Sequence, residues 1–129
     1  MKIVGGSARG RILEAPPGRN TRPTSAVLRE ALFGILAQRV PGARVLDLFC
    51  GSGAIALEAI SRGAKSVTFV ESGRPSLEAL RANIAACGFT EQCKVFAMDA
   101  LRFLKIGGGE YDVAFIDPPY NQGLAQAAL

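Results

Sequence analysis

The sequence predicts an α/β fold: a doubly wound, mostly parallel sheet that stops after its fourth core strand and follows a short N-terminal β-hairpin. Three observations predict it. Apolar runs of strand length alternate with stretches of helical spacing from Arg44 to Ile116. A glycine turn, Gly51-Ser52-Gly53, joins the first run to the first of those helices. Acidic residues then recur at or just past the run ends, at Asp47, Glu71, Asp99 and Asp117. Residues 1–24 are read as a basic extension of hairpin and loop, and residues 25–129 as the α/β domain.

The elements follow in order. Residues 2–14 read as two short strands around Gly5-Gly6 and Gly10, and the Pro- and Gly-rich residues 15–24 as loop. Thr24 or Ser25 can cap a helix over residues 25–38, with Val27, Leu28, Ala31, Leu32, Ile35 and Leu36 at helical spacing and Pro41-Gly42 as its stop. Arg44 to Phe49 is a buried strand, and Ala54 to Arg62 a helix ended by Gly63. Ser66 to Glu71 is the second strand. Ser72 can cap the next helix, with Pro75 in its first turn, Leu77, Leu80 and Ile84 inward, and Gly88 at its end. Lys94 to Met98 and Tyr111 to Ile116 are the third and fourth strands. Right-handed crossovers then set a strand order of 3-2-1-4, which leaves the fourth strand at an open edge. Such an edge calls for the rest of a larger domain or for a partner chain that covers it.

Composition narrows the class. The 129 residues suit one domain, and 49% hydrophobic with 20% charged residues is an ordinary globular balance. The apolar stretch from Ala54 to Ile60 is interrupted by Glu58, so no run is long enough to span a membrane. The first residues reach Arg9 and Arg11 without a long apolar stretch and are expected not to act as a secretory leader. Cys50, Cys87 and Cys93 show no C-x-x-C spacing, and the chain has no histidine. Free thiols in a reduced cytoplasm, with no metal, are therefore expected. Residues 1–30 carry Lys2, Arg9, Arg11, Arg19, Arg22 and Arg29 against Glu14 and Glu30, which accounts for the whole net charge of +4. A planar guanidinium suits phosphate, so this arm reads as a polyanion contact, with a solvated surface as the plainer alternative.

The segment Asp47-Leu48-Phe49-Cys50-Gly51-Ser52-Gly53 places a glycine turn at the C-terminal end of a strand, where doubly wound sheets bind ligands. Glu71 closes the second strand, where a carboxylate can accept ribose hydroxyls. Gly51-x-Gly53-x-x-Ala56 also matches the loose dinucleotide pattern. Asp47 separates the two cofactors. A pyrophosphate would meet its negative charge, whereas S-adenosyl-L-methionine brings a sulfonium and an ammonium. Unit charges about 4 Å apart interact by roughly 4 kcal/mol at an effective dielectric of 20, so the sign favours the sulfonium. Asp99 can accept from an adenine amino group, with the Ala100 N–H serving the ring nitrogen. It can equally cap a helix.

Asp117-Pro118-Pro119-Tyr120 follows the fourth strand. Two prolines stiffen the turn and can aim a carbonyl. An aromatic exocyclic amine is a poor nucleophile because its lone pair is spread into the ring. The Asp117 carboxylate and the Pro118 carbonyl can grip its two N–H groups, and Tyr120 can stack against a flipped base, worth about 1–3 kcal/mol. Orientation of this kind supplies on the order of 7–11 kcal/mol for well-aligned reactants.

These residues together resemble the class I, Rossmann-like methyltransferases that modify amino nitrogens. Ile3-Val4-Gly5-Gly6 with Arg9-Gly10-Arg11, and Arg22-Pro23-Thr24 with Arg29-Glu30-Ala31-Leu32-Phe33, are similar to the bacterial 16S ribosomal RNA guanine-N2 methyltransferase family. The resemblance implies S-adenosyl-L-methionine as donor and 16S ribosomal RNA or the assembling small ribosomal subunit as substrate. It implies cofactor contacts by Asp47, Phe49, Gly51, Ser52, Gly53, Glu71, Ser72, Asp99 and Ala100. Catalytic roles fall to Asp117, Pro118, Pro119 and Tyr120, and Arg9, Arg11, Arg22 and Arg29 would contact RNA or shape the pocket mouth. The family's last three strands have no counterpart here. An adenine-N6 methyltransferase, or a module that binds cofactor or RNA without turnover, would use many of the same residues.

Overall fold

Between Arg44 and Ile116 each apolar run is short and bounded by turn residues, so its backbone groups must find partners in neighbouring runs. A computed structural model describes residues 2–14, 26–107 and 109–116 and shows that pairing. The elements are α1 (Ala26–Ile35), β1 (Arg44–Leu48), α2 (Ala54–Ser61), β2 (Ser66–Glu71), α3 (Arg74–Cys87), β3 (Cys93–Ala97), α4 (Ala100–Ile106) and β4 (Val113–Ile116), with a 3-10 turn at Thr90–Gln92.

The three strand pairings among the described residues are parallel, in the order β3-β2-β1-β4. Leu48 lies in register with Val70 on one side and Ile116 on the other, so the strand ends gather at one rim. Val45, Val67 and Phe69 face a core shared with Leu57 of α2 and Leu80 of α3. Leu46, Leu48 and Val70 face the opposite way, against Ala100 and Phe103 of α4. The chain thus changes sheet face between its second and third crossovers, and the strand order reverses between β1 and β4. Among the described residues β4 pairs with β1 alone, and no helix is long and apolar enough to cross a membrane.

The N-terminal segment is tied into this core. Among the described residues one antiparallel bridge forms there, Lys2 to Ile12, in place of the two short strands expected. Ile3, Ala8 and Leu13 are nevertheless buried in the larger apolar cluster. Glu58 explains the docking. It is fully buried in α2, and its two oxygens accept the Val4 and Gly5 N–H groups at 2.8 and 2.9 Å. The Arg62 guanidinium adds a 2.8 Å contact, and Arg29 a looser ion pair at 3.6 Å. Gly6, at φ 78°, presses so closely on the Ser61 carbonyl that a β-carbon there would collide with it.

Helix α1 departs from its expected orientation. Arg29 and Phe33 are buried and Leu32 partly so, with Leu36 and Val40 turned inward past the helix end, whereas Val27, Leu28, Ala31 and Ile35 are exposed. Apolar residues encircle much of this helix, so spacing alone permits two inward faces. The buried carboxylate of Glu58 selects the face that carries Arg29.

Removing Glu58 would strand the Arg29 guanidinium, 1% exposed, without its counter-ion. Breaking one side of a buried pair costs about 3–5 kcal/mol. Glu58→Ala is therefore expected to lower the thermal midpoint by on the order of 10 °C, measured by circular dichroism. A midpoint equal to that of the unsubstituted chain would contradict the anchoring role.

Candidate functional site

The rim is shaped by an unusual backbone path after β1. Phe49 takes φ 59°, which a bulky side chain rarely adopts, and Gly51 and Gly53 follow at 55° and 82°. The Phe49 N–H is held by the Val70 carbonyl at 3.1 Å, and the Gly53 N–H by the Cys50 carbonyl at 2.9 Å. This early left-handed residue ends β1 at Leu48, one residue before the strand end that the apolar pattern suggests.

The two glycines differ in purpose. A β-carbon on Gly51 would meet nothing within 4 Å, so its outer side is open. A β-carbon on Gly53 would collide with the Leu80 side chain and lie 3.2 Å from the Phe69 ring. Gly53 therefore lets α2 begin close against α3 and β2, and Gly51 leaves room above the rim.

Glu71 holds the turn. One carboxylate oxygen accepts the Gly51 N–H at 2.8 Å and the other the Gly73 N–H at 2.7 Å. The second bond displaces the expected cap: Gly73, not Ser72, occupies the N-cap of α3, and Ser72 is exposed. Asp47 is 4% exposed, between Phe69 and Phe115 in register. The Cys50 thiol registers the local field. Burial raises its pKa most, and the charges of Asp47 and Glu71 raise it further. Two carboxylates beside one glycine turn make a site for a cation or for hydroxyl donors and a poor site for pyrophosphate.

Asp99 caps α4, accepting the Arg102 N–H at 3.1 Å, and it is exposed. Ala100 follows as the first helical residue, 4% exposed, where an N–H has no intrahelical acceptor. Ser52 is buried, and its carbonyl accepts from the Asn83 side chain at 3.0 Å. Asp117, Pro118, Pro119, Tyr120 and Arg22 lie outside the described residues.

Among the basic residues, Arg9 and Arg11 are exposed on the N-terminal segment, where Ser7 to Ile12 line an open depression of about 490 Å³. That depression belongs to the hairpin, not to the glycine turn. Arg29 must be withdrawn from the RNA-contacting set. It is 1% exposed, donates to the Lys2 carbonyl at 2.7 Å and faces Glu58, so it offers no surface to phosphate.

Two polar residues escape the sequence reading. Glu58 was visible as the lone charge in an apolar helix, a signal of buried pairing. Asn83 had a weaker signal, a polar residue three beyond Leu80 on an otherwise apolar stripe.

The family model described as Conserved hypothetical protein 95 matches residues 1–129. The chain is 37% identical over 129 residues to an Escherichia coli K12 protein named ribosomal RNA small subunit methyltransferase D, covering 100% of this chain and 65% of that protein. The fold is similar to the solved structure of yhhF from Escherichia coli, with TM-score 0.88 and 36% identity over 99% of this chain and 69% of that one. It is also similar to a SAM-dependent methyltransferase from Thiobacillus denitrificans solved with S-adenosyl-L-homocysteine, at TM-score 0.61 and 26% identity, covering 72% of this chain and 36% of that one. The chain thus spans about two thirds of the length of its Escherichia coli relative.

The difference between the glycines is measurable. Gly53→Ala is expected to lose about 2 kcal/mol or more in urea unfolding, because backbone conformation and overpacking act together. Gly51→Ala is expected to lose about 1 kcal/mol, for backbone conformation alone. Equal losses would show that Gly53 has no packing role.

Proposed function

Because the chain belongs to the family described as Conserved hypothetical protein 95 along all of residues 1–129, we propose that it carries the cofactor-binding and catalytic half of an S-adenosyl-L-methionine-dependent ribosomal RNA methyltransferase, acting on the exocyclic N2 amine of a guanine in 16S ribosomal RNA. The observation that carries the reading is the Glu71 carboxylate, which bridges the Gly51 and Gly73 N–H groups beside buried Asp47. The Escherichia coli relative's name supports the RNA substrate, and the bound S-adenosyl-L-homocysteine of the more distant structure supports the cofactor.

The residues fit that cofactor. Asp47 and Glu71 supply negative charge to a cationic ligand. Each Glu71 oxygen accepts one backbone N–H and keeps a lone pair that can accept a ribose hydroxyl. Gly51 leaves open space above the turn. Asp99 and the Ala100 N–H can meet an adenine edge, and Phe49 can pack beside it. When bound, the cofactor supplies an electrophilic methyl group on a positively charged sulfur.

The chain's own groups do the remaining work. The Asp117 carboxylate and the Pro118 carbonyl oxygen accept the two N–H groups of the target amine and hold its nitrogen near tetrahedral geometry. Pro118 and Pro119 keep that carbonyl aimed. Tyr120 stacks on the base and keeps it out of its helix. As the nitrogen gains a methyl group it becomes acidic, and Asp117 takes its proton. Arg9, Arg11 and Arg22 contact the RNA backbone, which sets position and not sequence.

Asp117→Ala is expected to lower methyl transfer by roughly 10²–10⁴-fold while S-adenosyl-L-homocysteine affinity stays unchanged. Mass spectrometry of ribosomal RNA incubated with labelled cofactor checks both rate and product, with label expected in N2-methylguanosine. An unchanged rate would remove Asp117 from the reaction, and label in N6-methyladenosine would replace guanine by adenine. Binding of both ligands without any label would make the chain a binding module.

A further inference from the structure

Asn83 is 1% exposed on the inner side of α3 and belongs to none of the motifs above. A primary amide offers one acceptor oxygen and two N–H donors. Asn83 uses all three. Its oxygen accepts the Glu14 N–H at 2.7 Å, and its nitrogen donates to the Glu14 carbonyl at 2.9 Å and to the Ser52 carbonyl at 3.0 Å. The partners come from two segments with different tasks. Glu14 ends the described part of the segment that bears Arg9 and Arg11. Ser52 is the middle residue of the glycine turn.

Other side chains also hold the N-terminal segment. Arg29 binds Lys2, Glu58 binds Val4 and Gly5, and Ser61 binds Gly5 and Ala8. Among the described residues, only Asn83 holds that segment and the glycine turn with the same group. Its donors and acceptor lie in one rigid amide plane, so a shift of the Ser52 carbonyl must move the plane or break its bond at the buried Ser52 end. An unpaired polar group there is disfavoured, so movement at one end is passed to the other. An apolar residue could fill the same volume but could not transmit that movement.

We propose that Asn83 is a positioning residue that couples cofactor occupancy of the glycine turn to RNA binding by the N-terminal segment. The inference rests on the methyltransferase reading. Coupling between two sites is reciprocal, so each ligand tightens the other by the same factor.

The decisive substitution is Asn83→Asp. It keeps the shape and the acceptor for the Glu14 N–H, but turns the donor nitrogen into an oxygen facing two carbonyls. Fluorescence anisotropy of a fluorescein-labelled 16S ribosomal RNA fragment, with and without saturating S-adenosyl-L-homocysteine, reads the coupling. Amide hydrogen exchange at Glu14 reads the strut itself. In the unsubstituted chain the ligand is expected to tighten RNA binding about fivefold or more and to slow Glu14 exchange. In Asn83→Asp it still binds, but the gain in RNA affinity disappears. A full gain retained in Asn83→Asp overturns the inference. So does an unsubstituted chain whose Glu14 exchange ignores the ligand, a result that decides the matter even if the variant does not fold. A chain that takes up no S-adenosyl-L-homocysteine in calorimetry overturns the methyltransferase reading itself, and this inference with it.

Discussion

The Glu71 carboxylate spans two turns that local sequence alone would leave independent. Its oxygens take the Gly51 N–H from the loop after β1 and the Gly73 N–H from the loop after β2. Hydrogen bonds to an ionised acceptor are shorter and stronger than neutral ones. The rim of the sheet is therefore set before any ligand arrives, with the left-handed path through Phe49 and Gly51 held in place. Asp47 is buried in β1, the strand that leads into the same turn, and the Cys50 thiol is raised by burial first and by the charges of Asp47 and Glu71 after it. A preformed rim of negative charge is what a cationic methyl donor needs and what a pyrophosphate would avoid.

The second constraint is how the N-terminal segment is held to the α/β core. A basic segment on a free tether would hold its arginines in no fixed position. Here Glu58 and Ser61 grip residues 4–8 at the end of α2, and Asn83 grips Glu14 beside the glycine turn. Arg29 spends its charge inside this anchor, which leaves Arg9 and Arg11 as the exposed guanidinium groups of the described segment. Among the described residues of this region, charge thus divides into a buried part at Arg29 and an exposed part at Arg9 and Arg11.

Much of this was legible in the sequence. The order β3-β2-β1-β4 followed from strand and helix alternation, because parallel crossovers have one hand. Glu71 was legible because a carboxylate at the end of the second strand has few structural reasons to be there. Orientation about a helix axis was not legible. Helix α1 carries apolar residues on more than one side, and its inward face is chosen by Glu58, about thirty residues downstream in another element. For the same reason Arg29 read as a surface arginine. Ser72 read as a cap, but the N-cap of α3 is Gly73, whose N–H is taken by Glu71. Asn83 has meaning only once Glu14 and Ser52 are brought together in space.

Calorimetric titration of S-adenosyl-L-homocysteine into the unsubstituted chain and into Glu71→Gln tests the central claim most directly. Glutamine keeps the size of the side chain but offers one acceptor where the turns need two, and it removes the charge. Loss of a hydrogen bond to a charged group costs about 1.5–3 kcal/mol, so affinity should fall roughly 10- to 100-fold. Equal affinities for the two proteins would contradict the account, because the rim would then bind its ligand without the carboxylate that holds it.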